Sequence, residues 1–187
     1  MKVFPALILL LFFSCQSAQN SKEESSLNSY QPNSEFPSFV DEILNSELKG
    51  WQLASKSSWD DSTFLMYHTD SSQLNYFIED YNCDGKQDFA GILKDSVGNY
   101  ATYKIYSIED NYIYNQLENY GKQTLLNVGL RFISSQTPFR HYDGFSETFK
   151  CGAIERFNIY NNGKKLFYGN ENGFYEIEMG ERTRQSP

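Results

Sequence analysis

Residues 88–108 read DFAGILKDSVGNYATYKIYSI, and their reading decides the fold. Apolar residues come in two short blocks, separated by Asp95-Ser96-Val97-Gly98-Asn99. A glycine-containing connection of that length between two strand-like runs predicts a β-hairpin pairing Asp88–Lys94 with Tyr100–Ile108. A second hairpin is expected where Glu155–Tyr160 meets Lys165–Tyr168. There Asn161-Asn162-Gly163 supplies residues that tolerate the positive φ of a tight turn.

Working outward, further strands are expected at Gly50–Ser55, Thr63–His68, Leu74–Glu79, Tyr112–Leu117, Thr124–Ser134, Ala153–Tyr160 and Phe174–Glu178. Each is a short apolar run bounded by Asn, Asp, Gly or Ser. Only one stretch has helical spacing: Phe39, Val40, Ile43, Leu44 and Leu48 predict a helix over residues 37–48, with Pro37 in its first turn and Gly50 stopping it. Closely spaced strands without a second long helical pattern favour antiparallel pairing over a parallel α/β sheet. The expected class is α+β, mainly β: an N-terminal helix packed on a curved antiparallel meander. Gln136–Ser146 (QTPFRHYDGFS) is expected to be a long surface loop.

Composition narrows the function. The chain has 187 residues and a formal net charge of −8, with Lys+Arg 16 against Asp+Glu 24. No excess of cations is available to neutralise phosphates, which argues against a nucleic-acid partner. Aromatics at 17% rule out a wholly disordered chain, because such side chains can build a core.

The N-terminus carries an address. Met1–Ser14, MKVFPALILLLFFS, has a positive residue at Lys2, an apolar run and a final small residue. The run is too short for the roughly 20 apolar residues of a membrane span and has the layout of an export signal. Phe12-Phe13-Ser14-Cys15 resembles the lipobox of bacterial lipoproteins, although two phenylalanines depart from its usual Leu and small residue. The resemblance implies cleavage before Cys15, lipidation (palmitate included) of that cysteine, and anchorage at the outer membrane or cell surface of a Gram-negative bacterium. Residues 15–35 are polar and Ser/Asn/Gln-rich, suited to a flexible tether, and Lys22-Glu23-Glu24 resembles an acidic surface-export signal. One globular domain over residues 36–181 and a disordered tail over 182–187 complete the expected organisation.

One motif carries chemistry. Asp80-Tyr81-Asn82-Cys83-Asp84-Gly85-Lys86-Gln87-Asp88 fits D-x-N-x-D-G-x-x-D. Calcium is a hard cation that takes six to eight oxygens at about 2.3–2.6 Å, and short oxygen-bearing side chains at alternate positions can converge on it. Glycine at the sixth position permits the sharp turn. The candidate ligands are the side chains of Asp80, Asn82, Asp84 and Asp88 and the carbonyl of Lys86. An EF-hand would carry Glu at the twelfth position, which here is Gly91, and the flanks read as strands. The stretch from Leu74 to Tyr100, including Asp88-Phe89-Ala90, resembles instead the calcium loops of FG-GAP/VCBS repeats, the integrin α-chain-like repeats. That resemblance implies a structural Ca2+ without catalysis. A single copy cannot build a propeller, so it reads as one repeat-like hairpin within a small domain.

Weaker signals remain. Export makes a disulfide between Cys83 and Cys151 permissible, but two separate buried thiols are the favoured expectation. His68 and His141 lack metal-spaced partners, and no nucleophile motif is present. Asp60-Asp61 and Glu109-Asp110 read as solvated turns. Phe139-Arg140-His141-Tyr142 is read mainly as an anchor for its loop. Trp59 is the better candidate for an exposed binding aromatic, Trp51 for the core. Asp61-Ser62-Thr63 and Asp95-Ser96-Val97 resemble a short bacterial O-glycosylation signature. The expected role is therefore a lipid-anchored binding or structural module, not an enzyme, held to the membrane by its lipid and meeting a protein or carbohydrate ligand. The alternatives are a polysaccharide-associated enzyme or carbohydrate-binding accessory protein, and an immunity or inhibitor lipoprotein.

Overall fold

The computed structural model describes residues 36–67, 74–140, 146–161, 163–170 and 173–179. The export signal, Cys15, the tether, His68, His141, Tyr142 and the tail lie outside the described residues. In chain order the elements are α1 (Ser38–Ser46), β1 (Gln52–Leu53), α2 (Asp61–Tyr67), β2 (Tyr76–Glu79), β3 (Asp88–Lys94), β4 (Asn99–Ile108), β5 (Asn111–Lys122), β6 (Val128–Ile133), β7 (Pro138–Arg140), β8 (Ser146–Thr148), β9 (Ala153–Asn158), β10 (Lys164–Asn170) and β11 (Gly173–Met179).

The chain is mainly β and every strand pairing is antiparallel. Both hairpins read from the sequence are present: β3 pairs with β4 from Phe89↔Ile105 to Lys94↔Tyr100, and β9 pairs with β10 from Ala153↔Tyr168 to Phe157↔Lys164. The strands do not form a single sheet. One sheet runs β1-β3-β4-β5, with β2 also on β3, and a second runs β11-β10-β9-β6. A two-stranded ribbon, β7-β8, stands apart. In the first sheet β2 and β1 share one edge of β3 in succession, β2 along Asp88–Gly91 and β1 along Leu93–Lys94. The β4–β5 ladder shifts register between Tyr100 and Ala101 and again between Thr102 and Tyr103.

The two-sheet arrangement follows from β3, which is apolar on both faces. Phe89 and Leu93 belong to one buried cluster, with Ala101, Tyr103 and Ile105 of β4 and with Phe39, Val40, Ile43 and Leu44 of α1. The Phe39 ring stacks on Tyr112 with centroids 4.0 Å apart. Ala90 and Ile92 point the other way and join Val128, Leu130, Ile154, Phe157 and Phe167 of the second sheet. Period-2 alternation places residues 89 and 93 on one face and 90 and 92 on the other. Full burial of such side chains is worth roughly 1.5–3 kcal/mol each, so both faces of β3 demand a cover. Gly91 makes room on the first face: a Cβ there would lie 2.3 Å from the Phe89 ring. The outer side of the second sheet is covered by Phe139 and Phe149, stacked 4.2 Å apart over Ala153 and Leu166.

Three expectations are corrected. Thr63–His68 is not a strand: Asp61–Tyr67 is helix α2. Asp60 caps it, accepting the Thr63 amide at 2.9 Å, and Trp59 and Phe64 flank the first turn as a hydrophobic staple, 6.3 Å between centroids. Trp59 is therefore core, 2% exposed, and its Nε1 donates to the Val128 carbonyl at 2.8 Å. Gln136–Ser146 is not all loop, because Pro138–Arg140 pairs with Ser146–Thr148 and buries Phe139.

Candidate functional site

The Asp80–Asp88 segment connects β2 to β3, strand to strand, so the flanks are those of the calcium-loop reading and not of a helix–loop–helix. The backbone curls around Asp80. Its Oδ1 accepts the Asp84 amide at 3.3 Å and its Oδ2 the Gly85 amide at 2.9 Å. Asn82 Oδ1 also accepts the Asp84 amide, at 3.1 Å, and Asp84 Oδ1 accepts the Lys86 amide at 2.8 Å. Two residues take positive φ to make this path: Gly85 at +83°, and Cys83 at +59°, where a side chain is disfavoured.

Asp88 closes the loop from the first position of β3. Its Oδ2 accepts the Tyr81 amide at 2.9 Å and its Oδ1 the Ser107 amide at 3.1 Å, so one carboxylate joins both ends of the loop to β4. The side chain is fully buried. Burial pushes its pKa up to about 6; the two amides oppose this, and the negative charges of Asp84 and Asp80 add to it. Asp84 behaves differently at the exposed rim. Slight burial works upward there, but bonds from the Ser107 hydroxyl, the Lys86 amide and Asn82 outweigh it and hold the carboxyl below its ordinary range.

The sequence reading missed the other wall of this site, the end of β4 and its turn into β5. Ser107 donates its amide to Asp88 and its hydroxyl to Asp84, and accepts Asn82 Nδ2 at 2.7 Å on its carbonyl. The Lys86 ammonium donates to the Glu109 carbonyl and lies 3.6 Å from Asp110, and its charge also helps to hold Asp84 below its ordinary range. The hairpin register could have pointed to this wall: Phe89 faces Ile105, so Ser107 falls opposite the last loop residues.

On the opposite side Cys83 is bonded to Cys151, with Cα atoms 5.3 Å apart. This corrects the expectation of two separate thiols. Proximity could not be read across a sequence separation of 68 residues. Cys151 precedes β9, so the bridge ties the loop to the second sheet.

Short, hard oxygen donors recur along one loop and the glycine turn is in place, so the donor types suit a divalent hard cation. Among the described residues no three His, Cys, Asp or Glu side chains stand gathered closely enough to hold a metal ion. The aspartates are instead satisfied along the loop by backbone amides, and gathering them would exchange some of those bonds for the ion.

Elsewhere, a shallow cleft of about 300 Å3 is lined by Lys104, Asn115, Gln116, Phe167, Tyr175 and Glu176, among others. Lys104 is buried, 1% exposed, with its ammonium over the Tyr106 ring at 4.1 Å. Burial lowers its pKa to about 7 against the pull of Asp88. No helix among the described residues is long and apolar enough to cross a membrane. Comparison with protein-family models, with curated proteins and with solved structures gives no match.

Proposed function

We propose that the chain is an exported lipoprotein, anchored through Cys15 at the outer membrane or cell surface. Its mainly β domain is stabilised by one calcium ion and serves a binding or structural role. The observation that carries the calcium reading is the loop at residues 80–88: three carboxylates on one curled backbone, close enough for Asp80 and Asp84 to raise the pKa of buried Asp88. The side chains of Asp80, Asn82, Asp84 and Asp88 and the Lys86 carbonyl would hold the ion, FG-GAP/VCBS-fashion. A bound Ca2+ would supply the positive charge that these carboxylates lack. Ser107 and the disulfide hold the loop in its path from either side. In this reading α1 sits on a curved antiparallel meander, supported by the cluster shared by Phe39, Ile43, Phe89 and Ile105.

Thermal melting with millimolar calcium and then with excess chelator tests this. The midpoint should rise with calcium, because a ligand that binds only the native state stabilises it by mass action. At about a hundredfold excess over Kd the gain is about 2.7 kcal/mol. Asp84→Ala should lose most of the shift. A wild-type midpoint that does not move sinks the reading. Labelled palmitate that fails to enter the protein would remove the anchor.

The runner-up is a carbohydrate-binding role. It draws support from the cleft, where the half-exposed Tyr175 ring lies beside amide and carboxylate side chains. Rings beside planar polar groups suit sugars. The burial of Trp59 removes the aromatic that the sequence had offered for it. Tyr175→Ala should abolish retention on immobilised polysaccharide if this role is real.

A further inference from the structure

The disulfide enters the candidate metal loop at its centre. Cys83 lies between Asn82 and Asp84, is exposed, and holds a positive φ of 59° that an L-residue disfavours. Its partner Cys151 is buried and stands two residues before β9 in the second sheet. The loop is otherwise held at its ends by Asp88 and on one flank by Ser107. The bridge is therefore the tether that fixes the middle of the loop to the other sheet.

We propose that the Cys83–Cys151 bridge is a thiol-reversible control on the calcium affinity of the Asp80–Asp88 loop. The inference rests on the calcium reading of that loop. With the bridge intact, the backbone of residues 82–84 is already held to the second sheet, and a cation has only the side chains left to gather. With it open, Cys83 is free to leave its disfavoured conformation, and binding must order those residues again. Affinity falls by the freedom regained.

The chemistry needs only a dithiol reductant. Its thiolate attacks the exposed Cys83 sulfur, the S–S bond breaks, and the Cys151 sulfur leaves as a thiolate that takes a proton. The reductant's second thiolate then attacks its own sulfur in the mixed disulfide and releases Cys83. In sum the protein disulfide gains two electrons and two protons, and the dithiol is oxidised to a disulfide. Linkage makes the effect reciprocal: calcium must make the bridge harder to reduce by the same factor by which reduction weakens calcium binding.

The test is calorimetric titration of the full chain with calcium chloride, oxidised and after reduction by dithiothreitol, both forms checked for folding by circular dichroism. Reduction should raise Kd about tenfold or more, the scale of a preorganisation effect. Cys83→Ser/Cys151→Ser should match the reduced protein. Equal Kd values in two folded forms overturn the coupling. No binding by the oxidised protein sinks the calcium reading instead. If the reduced chain or the serine variant does not fold, the wild-type protein decides the matter alone. Its bridge is equilibrated in a series of oxidised and reduced dithiothreitol, with and without saturating calcium, and Cys83 is scored by alkylation and peptide mass. A shift toward harder reduction with calcium supports the proposal; identical midpoints overturn it.

Discussion

Strand β3 has a polar connection at each end, both built on Asp, Asn and Gly, and the two have opposite physics. The β3–β4 turn, Asp95–Asn99, satisfies itself. Asp95 Oδ1 accepts the amides of Val97 at 3.0 Å and Asn99 at 2.8 Å, Oδ2 accepts Asn99 Nδ2 at 2.7 Å, and Gly98 takes φ +91°. Slight burial works upward on Asp95, but these bonds hold its carboxyl below the ordinary range. The β2–β3 connection instead reaches outward, to Ser107 on one side and Cys151 on the other, and ends in a buried Asp88 whose pKa is raised to about 6. A turn whose charge is solvated and locally bonded needs nothing more. A loop that buries one carboxylate beside two others carries a charge that its own backbone bonds do not dispose of, and it is there that the proposed cation would act.

The comparison can be broken most severely at Asp88. Asp88→Ala would strand the Tyr81 and Ser107 amides in a buried setting, at about 3 kcal/mol by urea unfolding. A loss below about 1 kcal/mol would mean that Asp88 is no more structural than Asp95. The pH dependence sharpens the contrast next. Without calcium, Asp88 binds its proton more tightly folded (about 6) than unfolded (3.8), so its contribution is fullest below pH 3.8 and is lost as pH rises through 6. Asp88→Asn should flatten that fall.

Lys104, on the neighbouring strand, has the opposite sign. Its folded pKa of about 7 lies below its ordinary 10.5, so stability rises with pH between the two and falls as pH drops through 7. Lys104→Met should remove a rise on the order of 2 kcal/mol between pH 7 and pH 10 in denaturant titrations. The smallest effect belongs to the self-contained turn: Asp95→Ala should cost about 1 kcal/mol and leave any calcium-induced shift in melting temperature intact.

The parts of this fold legible in the sequence were those decided within a few residues. The DSVGN connection and the Asn161-Asn162-Gly163 turn announced their hairpins, and Asn161 Oδ1 accepts the Gly163 amide at 3.0 Å. The spacing of Phe39, Val40, Ile43 and Leu44 announced α1. Asp60 and Trp59 did carry a local signal for α2, a cap preceded by a staple residue, but the apolar Phe64-Leu65-Met66 run hid it, with Leu65 and Met66 lying exposed. What stayed hidden was set at long range. The separation into two sheets depends on which strands cover which face of β3. The Ser107 wall depends on register, and the bridge depends on bringing the loop to the start of β9. The ligand types of the loop were visible; what holds them in place was not.

The irregular β4–β5 ladder bears on how these molecules behave in concentrated solution. A sheet edge presents free amides and carbonyls to any other chain, and a long flat edge invites stacking of copies. On one side β1 and β2 divide the edge of β3 between two short strands. On the other, the edge strand β5 spans Asn111–Lys122, but its two register shifts against β4 bend and twist it. It also carries Asn115, Gln116, Glu118, Asn119 and Lys122 along its length. Shape and charge together make that edge a poor template for another strand, which guards the chain against aggregation.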